Sequence, residues 1–355
     1  MPTPTNPAQE IQSQIRTLQS KVDDMQNRVR LSQARDAVED VQSNVNGLVQ
    51  RIAGLRTRGY VFEKDLEAQA QAFVESWMML YPNVQAQVGQ QSTMLINALR
   101  PIELQMPQLA AAAASPGMAR GILSSLESAV GQLDSKVDAA ERMVSGMYDQ
   151  FSGQVSTLSR HLDDVDYLLK NVAEATFKLF PLEGGIAAVR AVWCRTGKEE
   201  KDDPEGVLYL TDQRVLFEQK EEVVTKKVLF VATAKQKVQG LQWEAPVALL
   251  DQVTTSKAGL LKNEDHIEIR FLPGAPLDLA HLHIWRDCAF WQGLLNRAKT
   301  KDFDQGRAVA LDQAAVDKVK AAPTQCPSCG GAMTKPVLRG QDTVKCEFCG
   351  FEIRL

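Results

Sequence analysis

EGVLYLTDQRVLF, residues 205–217, is the most telling stretch of this 355-residue chain. Two runs of aliphatic and aromatic residues, Val207-Leu208-Tyr209-Leu210 and Val215-Leu216-Phe217, flank a polar turn, as neighbouring strands of one sheet do. The same texture extends outward to Ala188–Trp193, Lys227–Val231 and His266–Phe271, short runs separated by Gly, Pro and charged turns. One helical pattern, near Asp287 to Lys299, closes the segment. Five or more strands followed by a helix predict a small barrel or sandwich with a helical plug.

The order of residues within 205–217 is specific. A Gly, an aliphatic-Tyr-aliphatic strand, Thr, a turn, then Arg-aliphatic-aliphatic-Phe resembles the second and third strands of a GRAM domain, within the pleckstrin-homology (PH) superfold. Val247–Ser256 (VALLDQVTTS) resembles a later strand of that family, and Trp285-Arg286-Asp287 before an aromatic helix resembles its ending. The resemblance spans residues 181–300 and implies recognition of lipid head groups or proteins, without catalysis. Phosphoinositide-binding relatives usually carry a basic cluster on the first hairpin loop. Here that loop sets Arg195, Lys198 and Lys201 against Glu199, Glu200, Asp202, Asp203 and Glu205. Five carboxylates beside three cations cancel most attraction to phosphate, so protein contact is the expectation.

Residues 1–180 read differently. Apolar side chains at Ile11, Ile15, Leu18, Val22, Met25 and Val29 step by four and three, and after a phase break near Leu31 the pattern resumes from Val38 to Leu55. A longer run goes from Ile122 and Leu126 through Val130, Leu133, Val137, Ala140, Val144, Met147 and Phe151 to Val172. A stripe this narrow predicts a coiled-coil or long-bundle seam, packing internally or between chains. Prolines at 82, 101 and 107 are expected to break or kink the middle portion, 63–113. The expected helices therefore run over 8–57 and 117–179, about 75 Å and 95 Å long.

Residues 301–325 read as a linker. After it come CPSCGG (326–331) and CEFCG (346–350), with sixteen residues between Cys329 and Cys346. Two residues between cysteines let both sulfurs of a tight turn face one ion, and the glycine that follows adopts a backbone geometry closed to most residues. Cys326, Cys329, Cys346 and Cys349 are thus the expected ligands of one structural Zn2+ in a zinc ribbon over 326–355. All four positions are filled, which leaves no water site for catalysis.

Composition narrows the functional classes. The chain holds 40 basic and 44 acidic residues, net charge −4, and 301–355 carries only one excess cation. Binding of nucleic acid grows with the phosphates neutralised, so it is not expected. The segment Leu109–Ala114 falls far short of the roughly 20 apolar residues that span a bilayer. The start, MPTPTNPAQE, lacks the cationic and apolar stretches of a secretory signal. A cytoplasmic location follows, peripheral to membranes mainly through other proteins. Other candidates have plainer readings. His281 and His283 share one face of a strand, but Asp278 is their only nearby acid, so a surface strand is expected. His161 and the run Asp163-Asp164-Val165-Asp166 are expected to face solvent, and Cys194 and Cys288 to be buried inert thiols. No residue suggests an enzyme or a small-molecule substrate. The expected function is a non-catalytic scaffold or adaptor that self-associates as a homo-oligomer or binds partner proteins. The alternatives are nucleic-acid binding through the ribbon and direct lipid binding through the GRAM/PH-like domain.

Overall fold

The computed structural model describes residues 7–228, 231–259 and 263–355. The chain divides into two compact units: everything up to Val49 together with Ala68–Ser159, and Gln50–Glu67 together with Arg160–Leu355.

The first unit is helical. Its elements are α1 (Pro7–Arg28), the first part of α2 (Ser32–Thr57), nearly all of α3 (Leu66–Ala112), α4 (Pro116–Gly146) and the start of α5 (Asp149–Glu174). The single helix expected over 8–57 is instead two, α1 and α2, divided at the phase break in the apolar pattern. Leu31, fully buried, takes the left-handed φ of 52° between α1 and α2. The apolar stripes pack inside the chain, since Val22, Leu126, Leu133, Val137 and Val144 are all buried. Arg28 of α1 pairs with Asp134 and, at 2.6 Å, with Asp138 of α4.

Two expectations about helix ends are corrected. The middle portion is one uninterrupted 47-residue helix, α3, despite Pro82, Pro101 and Pro107. All three prolines are exposed, and a buried stripe from Ala70 to Leu109 holds the helix together past them. Conversely, the expected last helix is divided at Met147-Tyr148 and ends at Glu174 rather than near 179. The division shifts burial from Met147 to Tyr148, which packs edge-on against Trp77, while Phe151 stacks on the same ring at 5.3 Å. Trp77 is buried, and its indole N–H is satisfied by Gln42 at 2.8 Å.

The second unit is built on a seven-stranded antiparallel sheet. The strands are β1 (Gly185–Trp193), β2 (Glu205–Thr211), β3 (Arg214–Val228), β4 (Val231–Pro246), β5 (Leu250–Ala258), β6 (Glu264–Phe271) and β7 (Leu279–Ile284), in the order β4-β3-β2-β1-β7-β6-β5. The helix α6 (Cys288–Lys299) follows and packs on β5 and β6, its N-terminus capped by Asp287. Leu229 and Phe230 of the expected strand 227–231 lie outside the described residues. Among the described residues the edge strands β4 and β5 do not pair, so the sheet is open where a closed barrel was expected.

Strand β2 explains why residues 207–210 are continuously apolar: both of its faces are covered. Val207 and Tyr209 join Leu216 in a cluster with Leu168, Ala175 and Phe177 from α5 and the segment after it. Leu208 and Leu210 are equally buried on the other face. The early end of α5 is what frees Ala175 and Phe177 to enter this cluster. Glu218 of β3, wholly buried, accepts hydrogen bonds from the Thr176 amide and hydroxyl (2.7 Å each), the Tyr209 hydroxyl (3.2 Å) and Gln239 (3.3 Å). Its main chain crowds Gly206 so closely that a Cβ there would meet the Glu218 carbonyl oxygen at 1.9 Å. Glycine is the one residue that fits.

His161 departs from the solvent-facing expectation. It lies 2.6 Å from Glu63, and this hydrogen bond raises its pKa above the usual imidazole value. A raised folded-state pKa stabilises the fold fully below the unfolded value, about 6.5, and the contribution disappears as pH climbs through the folded value. Both side chains are more than a third exposed, so the gain is about 0.5 kcal/mol. His161→Gln should therefore destabilise at pH 5.5 and be nearly neutral at pH 8.5 in denaturant titrations. Equal effects at both pH values would contradict the pairing.

Candidate metal centre

Downstream of α6 come α7 (Gln313–Lys320) and a small hairpin of β8 (Thr343–Lys345) and β9 (Glu352–Arg354). The cysteines sit on two matching turns. The Gly330 amide donates to the Cys326 carbonyl (2.8 Å) and the Gly350 amide to that of Cys346 (3.0 Å). Both glycines have φ above 70°, the left-handed geometry the sequence spacing implied. The amide of each leading cysteine then pairs across its knuckle, Cys326 with the Gly331 carbonyl and Cys346 with that of Phe351.

These turns gather four sulfurs. Cys326 Sγ is 3.6 Å from Cys349 Sγ, and Cys329 Sγ is 3.7 Å from Cys346 Sγ. A disulfide needs about 2.05 Å. By contrast, four sulfurs each ~2.3 Å from a central ion stand about 3.8 Å apart along the edges of a tetrahedron. The donor set therefore fits one zinc-sized ion. Backbone amides of Cys349 and Phe348 aimed at its sulfur draw the Cys346 thiol down to about 6, towards the thiolate that ligation requires.

The turn between β2 and β3 ties this module to the sheet. Asp212, buried, accepts from the Gly184 amide at 2.9 Å and pairs with Arg307 at 2.5 Å and with Arg339 from the segment between the knuckles. Arg339 also reaches Asp304 (3.2 Å), and its amide and carbonyl bond both ends of the Gln213 amide group. Two residues on, Arg214 is nearly inaccessible. It forms a bidentate pair with Glu183 at 3.0 and 2.7 Å, reaches Glu244 at 2.5 Å, and stacks over Phe180. The Thr211 hydroxyl donates to Glu183 (2.6 Å) and accepts from the Arg214 amide (2.7 Å). Of the ribbon's four cations, Lys335, Arg339, Lys345 and Arg354, Arg339 is thus committed internally, and Lys335 faces Glu347 at 3.8 Å. A cleft of about 450 Å³ lies alongside, lined by Phe180, Leu249, Pro276, Met333 and Leu338, with Lys335 and Lys345 among its polar residues.

The first hairpin loop is equally self-contained. Arg195 donates to the Asp202 carbonyl (2.7 Å) and meets the buried Asp203 at 3.3 Å; Asp203 also accepts from the Glu200 amide at 2.8 Å. Arg190 is held by Glu205. The acidic run 163–166 is not a bare solvated face: Asp163 pairs with Arg51, Asp164 with Arg286, and Asp166 with Arg58 and Lys170, around a buried Val165. Cys194 and Cys288 are both buried. His281 and His283 do share a face of β7, but β6 places His266 directly opposite His283, and Cys194 and Glu199 approach the same cluster. Sequence spacing could not reveal those neighbours, because they are set by strand register. Burial and the adjacent His283 and His281 hold the His266 pKa below the ordinary imidazole value.

No family model and no curated protein matches the chain. Among solved structures it is similar to the Vps36 N-terminal PH domain, at 17% identity over 35% of this chain and 84% of that one, with a TM-score of 0.23. It is also similar to the PDZ-RhoGEF DH/PH domains in complex with GTP-γ-S-activated RhoA (11% identity, 84% and 96% coverage, TM-score 0.23). A third likeness is to the DH/PH domain of human ARHGEF11 in a ternary complex with RhoA and its inhibitor (11% identity, 83% and 95% coverage, TM-score 0.25). Likenesses at such TM-scores carry no argument, and the PH-like reading rests on the strand order and the following helix.

Removing Asp212 leaves Arg307 buried without its counter-ion and Arg339 with Asp304 alone, a loss worth about 3–5 kcal/mol. Asp212→Ala should lower the unfolding midpoint and speed hydrogen exchange around 338–341. An unchanged exchange rate there would show that the Arg339 contact does not hold the module.

Proposed function

We propose that the protein is a non-catalytic adaptor. Its helical region engages partner proteins or further copies of the chain, its GRAM/PH-like domain (181–300) contacts protein rather than lipid, and a zinc ribbon (326–355) holds one structural Zn2+. The coiled-coil stripe is consumed inside the helical unit, so self-association has to use the outer helical faces. The observation that carries the reading is on those faces. Met78, Met79 and Leu104 of α3 and Met118 of α4 are each more than 65% exposed. Flexible, polarisable methionines adapt to varied apolar surfaces, which is why protein-binding faces use them. Against lipid stands the hairpin loop, whose Arg195 is already paired with the Asp203 carboxylate. No described helix is long and apolar enough to cross a membrane. A cytoplasmic protein that reaches membranes through its partners fits these features.

Three measurements test this. The zinc of so small a module is its folding energy. Cys346→Ser should therefore lower the zinc content by one ion per chain and unfold residues 326–355, with helical circular dichroism retained; unchanged zinc would refute the assignment. Anionic liposomes at physiological salt should leave the protein in the supernatant. Strong pelleting, lost in Lys198→Glu/Lys201→Glu, would establish direct lipid reading instead. Replacing Met78, Met79 and Leu104 with Gln should weaken self-association or partner capture at least tenfold without changing stability by more than about 0.5 kcal/mol, as for surface positions generally.

A further inference from the structure

We propose that the sheet carries a second metal site of the zinc class, formed by Cys194 Sγ, His266 Nδ1 and His281 Nε2, with its fourth coordination position open. The three residues come from three places in the chain. Cys194 follows the last residue of β1, His266 lies on β6, and His281 lies on β7, between its two neighbours β1 and β6. The Cys194 amide donates to the His281 carbonyl at 2.9 Å, which fixes the thiol beside that imidazole. Ligand atoms of all three residues lie within 4.8 Å of one another.

The imidazole geometry is that of two ligands converging on one point. His266 Nδ1 and His281 Nε2 are 3.0 Å apart, with ring centroids 5.2 Å apart and planes inclined by 59°. Two nitrogens bound tetrahedrally at ~2.05 Å from zinc stand about 3.3 Å apart.

An independent observation points the same way. The His266 side chain is only 8% exposed, yet its Nε2 has no hydrogen-bond partner. A hydrogen bond between His266 and His281 leaves that nitrogen unsatisfied in either tautomer. A metal on Nδ1 fixes Nε2 as the N–H, facing the Glu264 carboxylate at 3.8 Å. The outer nitrogen of His281, Nδ1, likewise faces Glu268 at 3.9 Å. A carboxylate behind each ligating imidazole is the arrangement that orients metal-binding histidines, and small side-chain rotations complete both hydrogen bonds.

The neighbouring His283 does not complete the set. Its Nδ1 is held by Glu199 at 2.7 Å, and its ring is sandwiched between His266 (4.9 Å, 13°) and Trp285 (4.3 Å, 24°). A ring stacked parallel to His266 cannot direct an in-plane lone pair at the ion that His266 binds. One thiolate and two imidazoles suit zinc rather than magnesium or calcium. Binding releases one proton, from the Cys194 thiol, and both imidazoles bind neutral. The open position is available to water or to a partner's side chain.

The test is a metal count on full-length protein produced with adequate zinc and kept reduced. Wild type should hold two zinc ions per chain, His281→Gln one and Cys194→Ser one, each with the near-ultraviolet circular dichroism of a folded sheet. Cys326→Ser/Cys346→Ser should retain one, and its cobalt(II) form should show a thiolate-to-cobalt charge-transfer band that adding Cys194→Ser abolishes. A wild-type count of one that disappears with the ribbon variant, or His281→Gln protein retaining two, would overturn the site. The ribbon assignment is judged separately, by the ion lost in Cys346→Ser.

Discussion

The second unit depends on how one turn is neutralised. Thr211 ends β2, Arg214 begins β3 and Asp212 lies between them, and the side chains of all three are buried. Burying a charge is tolerable only when it is paired and hydrogen-bonded. Here each partner arrives from elsewhere: Glu183 from the approach to β1, Glu244 from β4, Arg307 from beyond α6, and Arg339 from the cysteine module. Folding this turn therefore requires that four distant segments already be in place. The turn acts as a keystone, whose stability is that of its surroundings.

The same argument explains how much of the fold could be read in advance. The apolar text of β2 and β3 was visible because both faces of β2 are covered, so no polar alternation dilutes it. The arginine of that motif was equally visible, whereas its partner Glu183 was not, since nothing local marks a glutamate in the approach to a strand as buried. The long β3–β4 ribbon carries little apolar signal because residues 218–227 are dominated by charge, and the backbone ladder supplies pairing that side-chain pattern does not advertise. In the helices, the seam was legible but its interruptions were not. Whether a proline breaks a helix depends on the face it occupies, which sequence does not show, and the end of α5 is decided by the sheet core that Phe177 enters.

The two cysteine-bearing sites differ in the same way. The Cys-x-x-Cys turns are local, since each pair of sulfurs is aimed by two intervening residues and a glycine, so spacing alone announces them. The histidine cluster is assembled by register. His266 and His283 are seventeen residues apart in sequence yet directly opposed on adjacent strands, and Cys194 joins them from a hairpin some seventy residues earlier. Pattern reading finds a site when the backbone that shapes it is contiguous.

The prolines of α3 have a further consequence. Each removes the amide that would have engaged the carbonyl four residues earlier, so the oxygens of Met78, Asn97 and Glu103 lack their ordinary helical donors. An ordinary helix offers an incoming chain only side chains, its main chain being fully employed. This one offers main-chain acceptors as well, spaced along a rod of about 70 Å. A visiting strand or amide-rich loop would meet these backbone acceptors beside the exposed methionines, so main chain and side chains would each carry part of the contact.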